Sequence, residues 1–168
     1  MGNGAPVAFS ESRMQGALIA QTIVGASKQS AFDLEKINEL DRNGKFNEAL
    51  DLVKKTIEKS QEIREQAVKL SEELQKMAQA VSGVRSEAAR QAAIESVSSH
   101  LSLISRLINY SGYLDQLLGV LKNRFSGDFV RAGEVADLIK NINTEISAIN
   151  DFNAQAEKAM EQFDSLVK

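Results

Sequence analysis

Apolar residues recur along this chain at alternating steps of four and three, and the clearest run is the last. Val135, Ile139, Ile142, Ile146, Ile149, Asn153, Ala156, Met160, Phe163 and Val167 keep that spacing to the C-terminus, as one face of a long helix does. A second run joins Phe46, Leu50, Val53, Ile57, Ser60, Ile63, Ala67, Leu70, Leu74, Met77 and Val81, with one three-three slip at Ser60. Charges such as Lys54, Lys55, Glu58, Lys59, Glu62, Glu65, Glu72 and Glu73 fill its other faces. Several pair acid to base at helical spacing, as Asp51 does with Lys55 and Glu65 with Lys69.

The stretch between these runs carries two stripes. Val97, Leu101, Ile104, Ile108, Ser111, Leu114, Leu118, Leu121 and Phe125 form one; Leu103, Leu107, Tyr110 and Leu117 form the other. So broad an apolar face predicts a helix touched by more than one neighbour, at the centre of the core. The first stretch is weaker. Ser10 with Glu11 suits a helix start, and Phe9 before it could pack on Met14 as a staple. Met14, Leu18, Ile23, Ala26, Leu34, Ile37 and Leu40 follow at roughly helical spacing, while Gly16, Gly25 and "SKQS" weaken the middle. The expectation is one helix to about Asp41, with residues 25–30 as the place where a bend or break would fall.

Punctuation agrees with four elements. Ser82-Gly83 can stop a helix, Ser86-Glu87 can start one, and "SGDF" at 126–129 supplies a turn with Asp128 as a candidate cap. The predicted helices span about 10–41, 46–80, 86–124 and 129–167, after a flexible segment 1–9, in a single domain 10–168. "GKFNEAL" (44–50) resembles the turn and second-helix start of a tetratricopeptide repeat, and "GDFVRAG" (127–133) echoes it 83 residues later. The helices that follow are more than twice as long as such a repeat allows, which argues against a solenoid. Two long helical hairpins joined by short connections instead predict an all-α, antiparallel up-down-up-down four-helix bundle, a rod roughly 50 Å long.

Composition narrows the function classes. Pro6 is the one proline, cysteine and tryptophan are absent, and 43% of residues are apolar against 26% charged. Without cysteine there are no disulfides, thiolate metal sites or Cys nucleophile. A net charge of -3 and a pI near 5.3 argue against a nucleic-acid binder, which needs a basic footprint. The sequence has no run of 18 apolar residues, the length needed to span a membrane. Residues 16–26 end in Val24-Gly25-Ala26, a small-residue pattern like that of an export leader, but Gln21, Thr22 and Glu11 count against cleavage. The expected location is cytoplasmic, with a secreted or periplasmic protein as the alternative. Pro6 also removes the myristoylation pattern from "MGNGAP".

Candidate chemistry is sparse. The di-metal carboxylate bundles need Glu-x-x-His from two helices, and His100, the single histidine, has no glutamate three before it. His100 is read as half-buried or at the surface, and Met14, Met77 and Met160 as core gap fillers. Serines 96, 98, 99, 102 and 105 read as a solvated face. No phosphate loop, dinucleotide fingerprint, zinc pattern or nucleophile-base set appears, so no cofactor is expected.

Two features invite an interaction reading. "NYSGYLDQLLG" holds both tyrosines, Tyr110 and Tyr113, and two glycines seven apart, Gly112 and Gly119. The preferred interpretation is a tight internal helix crossing with the tyrosines at the core edge; the alternative is a surface for a partner. Asn153 stands where the last seam calls for an apolar residue. The preferred interpretation packs Phe152 and turns Asn153 outward; the alternative makes Asn153 a determinant of register or oligomer state. The expected function is non-enzymatic protein interaction, scaffolding or self-association, with an envelope-associated or secreted bundle as the alternative.

Overall fold

The computed structural model describes residues 5–128, 130–131 and 133–167. Four long helices form an antiparallel up-down-up-down bundle: α1 (Val7–Arg42), α2 (Phe46–Ala80), α3 (Glu87–Phe125) and α4 (Glu134–Leu166). Each packs on its neighbours in the order α1, α2, α3, α4 and back to α1, and all four feed one continuous apolar core. None of the described helices is long and apolar enough to cross a membrane.

The echo between "NGKF" and "SGDF" is a shared helix stop. Gly44 and Gly127 have φ of 71° and 80°, a region open to glycine and costly for other residues. In both turns the amide after the glycine reaches back five residues, Lys45 N–H to Leu40 O and Asp128 N–H to Asn123 O, each at 2.9 Å. Repeats are therefore not needed to explain the similarity. Gly44→Ala and Gly127→Ala should each lower stability by about 1 kcal/mol in denaturant unfolding, through strain at positive φ.

α4 begins at Glu134, five residues later than expected. Gly133, at φ 83°, stands at its start in place of Asp128, and Asp137 N–H bonds the Gly133 carbonyl at 2.9 Å. Phe129 and Ala132 lie outside the described residues. Beyond that start the predicted seam is buried from Val135 to Phe163. α2 follows its prediction with two exchanges. Thr56, wholly buried with its hydroxyl bonded to Leu52 O at 2.9 Å, replaces Ile57 on the core face, and wholly buried Ala49 stands in for half-buried Phe46, so steps of four and three alternate from Ala49 to Val81.

α1 corrects three expectations. It starts at Val7 after Pro6, not at Ser10, because Phe9 is wholly buried and stacks on Phe163 with ring centroids 5.0 Å apart. The segment taken as flexible to residue 9 is thus helical from residue 7. Met14 and Leu18 are 58% and 55% exposed, which removes the staple and the core role of Met14. The core face is Phe9, Ser12, Gly16, Ala20, Ile23, Val24, Ser27, Ser30, Leu34 and Ile37, half of them small residues that let α2 approach. A Cβ placed on Gly16 would lie 3.7 Å from Leu70 Cδ1. Finally, α1 runs unbroken through residues 25–30. Ser27 and Ser30 are 1% exposed, yet their hydroxyls bond the carbonyls of Ile23 and Ala26, at 2.8 and 3.2 Å, so the polar stretch is satisfied within the helix.

Candidate functional site: the outer face of the third helix

The first stripe of α3 is split in the structure: Val97, Ser111, Leu114 and Leu121 are buried with the second stripe, while Leu101 and Ile108 are exposed. Leu103, Leu107, Tyr110, Leu114, Leu117 and Leu121 lie in the core. Ile94, Leu101 and Ile108, seven residues apart, point outward at 47%, 50% and 68% exposure. The several neighbours that the wide apolar face predicted are found within the chain, since α3 packs on both α2 and α4, and the outward ridge is left over.

Between α2 and α3, beside this ridge, runs an apolar groove of about 510 Å³ walled by Val68, Ile104 and Ile108 and floored by Ala67, Leu107 and Ser111. Val68 is itself 60% exposed. Arg64 and Asp115, 3.8 Å apart, close one end. The Ser111 hydroxyl is buried in the floor and bonds no residue, a cost of about 1 kcal/mol or more. Ser111→Ala should accordingly leave stability unchanged or raise it by up to about 1 kcal/mol in thermal or urea unfolding.

Charge is nearly missing from this face. Across residues 96–114 the sole acidic or basic side chain besides the buried His100 is Arg106, which leans to Glu145 of α4 at 3.5 Å; exposed Glu95 lies just before this stretch. What the face shows to solvent is Ser98, Leu101, Ser105, Ile108, Asn109 and Gly112. Charge depletion around exposed large apolar groups distinguishes the centres of interfaces from ordinary surface. Exposed α2 positions, in contrast, carry Lys54, Lys55, Glu58 and Glu62. The solvated serine face is corrected in part: Ser96 and Ser99 are buried, at 1% and 8% exposure.

The residues singled out in "NYSGYLDQLLG" are not brought together as a surface. Tyr110 is wholly buried and donates its hydroxyl to Ser30 Oγ at 2.7 Å, so it cannot touch a partner. Tyr113 is half-buried, while Gly112 and Gly119 face outward. The tight crossing is also corrected, since a Cβ at either glycine would meet nothing within 4 Å. Gly112→Ala and Gly119→Ala should each stabilise the protein by about 0.5–1 kcal/mol, read as a shift in the unfolding midpoint, because helix propensity improves and no clash opposes it.

Asn153 is buried at 7% exposure and Phe152 is half-buried, the reverse of the preferred sequence interpretation. Its amide nitrogen donates to Glu157 Oε1 at 3.1 Å, which leaves its oxygen toward His100 Nε2, also at 3.1 Å. The imidazole Nε2–H is therefore the donor. His100 is 7% exposed, in place of the half-buried or surface position expected. These groups line a cleft of about 350 Å³ between α1 and α4, with Gly16, Ala17, Met77 and Met160 among its walls. At its end Arg13 holds Asp164 through both carboxylate oxygens, at 2.5 and 2.7 Å. Ser96 donates across to the Ala156 carbonyl at 3.0 Å. The polar groups that converge here bond one another, and the network fixes α3 against α4.

Burial holds the His100 imidazole below its ordinary pKa, against the opposing pull of the Asn153 hydrogen bond and the Glu157 charge. In the unfolded chain a histidine takes up its proton near pH 6.5. Below that value unfolding therefore takes up a proton that the folded chain refuses, and stability falls with pH until the lower folded pKa is passed. Asp41, whose carboxyl burial pushes up against the pull of Arg124, acts in the opposite sense but in the carboxylate range. Because the chain has one histidine, unfolding measured between about pH 7 and pH 5.5 reports His100. His100→Gln should flatten that slope.

Comparison with known proteins returns no matching family model, no similar curated protein and no similar solved structure.

Proposed function

We propose that this chain is a non-enzymatic helical-bundle protein that works by protein–protein interaction, presenting the outer face of α3 and the α2–α3 groove. The observation that carries this reading is the uncharged face of residues 96–114 with Leu101 and Ile108 exposed on it. Single exposed apolar residues are ordinary on soluble proteins. A ridge of them at seven-residue intervals, stripped of charge and flanked by a groove, fits the helix-in-groove mode of recognition.

A binding role also agrees with how the polar side chains are used. His100, Asn153 and Ser96 are engaged inside the bundle, and Arg13 is paired with Asp164 at its edge. The net charge of -3 disfavours nucleic acid as the partner. Cleavage of residues 16–26 as an export leader is disfavoured, because they contribute Gly16, Ala20, Ile23 and Val24 to the core and their removal would open the bundle.

The test is affinity capture from the source cells with the wild-type chain and with a Leu101→Lys/Ile108→Lys variant whose helicity by circular dichroism is unchanged. A protein retained by the wild type and lost by the variant is the expected result. Equal recovery by both would remove this face from consideration.

A further inference from the structure

We propose that the occupant of the α3 face is a second copy of this chain, docked antiparallel across a two-fold axis at Leu101; this deepens the interaction reading above and rests on it. The ridge is complementary to itself. Ile94 and Ile108 stand seven residues before and seven after Leu101, about 10 Å to either side along the helix. An antiparallel copy centred on Leu101 places Leu101 on its counterpart and Ile94 of each chain on Ile108 of the other. A two-fold interface requires one patch to match itself in this way. Ser98 and Ser105, small and exposed beside the ridge, let the two helices approach closely.

Charge selects the direction. The ridge ends in opposite signs, Arg90 four residues before Ile94 and Asp115 seven after Ile108; one guanidinium nitrogen of Arg90 donates to the Val84 and Arg85 carbonyls at 2.7 and 3.1 Å, and its remaining N–H groups and charge stay at that end. Asp115 flanks the ridge on the α2 side, where it meets Arg64, and helical spacing sets Arg90 on the same flank. Antiparallel docking brings Arg90 of each copy to within about one helical turn of Asp115 in the other. Glu87 falls on the opposite flank, toward the uncharged Gln116 of the other copy. Parallel docking would instead set Arg90 against Arg90 and Asp115 against Asp115, and like charges across an interface disfavour it. The groove walls Val68 and Ile104 lie beside the ridge and extend the apolar area that a second copy covers.

The experiment combines solution mass with cysteine cross-linking, for which a cysteine-free chain is well suited. Sedimentation of the full-length protein from about 1 to about 200 µM should show a monomer–dimer equilibrium, weakened about tenfold or more by Leu101→Lys at unchanged helicity. On mild oxidation Leu101→Cys should give a disulfide-linked dimer. Ile94→Cys and Ile108→Cys should each fail alone, and the Ile94→Cys/Ile108→Cys double variant should link.

A dimer indifferent to Leu101→Lys overturns the proposal, and cross-linking at all three single sites overturns the antiparallel register. A chain that stays monomeric throughout overturns the second copy as occupant. In that case, capture of another protein that depends on Leu101 and Ile108 leaves the interaction reading standing, and capture that does not depend on them removes both.

Discussion

Replacing Tyr110 with alanine is expected to cost about 3–5 kcal/mol of folding stability, the range for deleting a fully buried aromatic side chain. Tyr110 is among the largest wholly buried side chains, on the core face of α3. Its hydroxyl crosses the bundle to Ser30 of α1 at 2.7 Å, and Ser30 in turn donates to Ala26 O at 3.2 Å. Tyr110→Phe keeps the ring and loses only the hydroxyl, so its cost should be about 1 kcal/mol. Urea unfolding of the two variants separates these contributions. The same comparison guards against an error in mapping partners: loss of binding in Tyr110→Ala would report loss of the fold, since the side chain reaches no surface.

The second large effect is expected at Asn153. Asn153→Ala should destabilise by about 2–3 kcal/mol, because it opens space in the core and strands the buried His100 Nε2–H. Asn153→Leu fills the space but still leaves that donor unpaired, so it should recover only part of the loss. Removing both partners, as in His100→Leu/Asn153→Leu, should cost less than the sum of the single changes, since no buried donor then lacks an acceptor. A double-mutant cycle by denaturant unfolding checks this, with coupling above about 0.5 kcal/mol expected for side chains in one network. Additive changes would mean that the 3.1 Å contact contributes nothing to stability.

Legibility varied along the chain for physical reasons. α4 and most of α2 could be read directly because large apolar residues carry their core faces, and a seam of isoleucines and leucines has one sensible orientation. α1 resisted because its core face is built from Ser12, Gly16, Ala20, Ser27 and Ser30, while Met14 and Leu18, which look like core, face outward. Serines that bond their own helix's carbonyls can be buried without penalty, and periodicity counted on large apolar residues misses them. In α3 both stripes have helical spacing, so periodicity alone could not say which residues stay outside; Leu101 and Ile108 of the first stripe do, and with Ile94 they became the candidate site.

The His100–Asn153 pair was half legible. Asn153 occupied a seam position in the pattern, and that was the available signal. Its partner lies 53 residues away on another helix, a distance over which spacing carries no information. The groove floor was hidden for a similar reason, since Ser111 sat in a stripe otherwise made of large apolar residues and its lack of a hydrogen-bond partner appears only once α2 and α3 are packed.

The central claim, that the outer face of α3 is where this protein meets its partner, is tested most directly by photocross-linking in the source cells. A photoreactive phenylalanine analogue is placed at residue 101 or 108, and at residue 54 on the exposed, charged face of α2 as a control. The account predicts discrete covalent protein adducts from 101 and 108, whether to a second copy or to another chain, and none from 54. Adducts from 54 alone, or no adducts from 101 and 108 while the fold is intact, would contradict it.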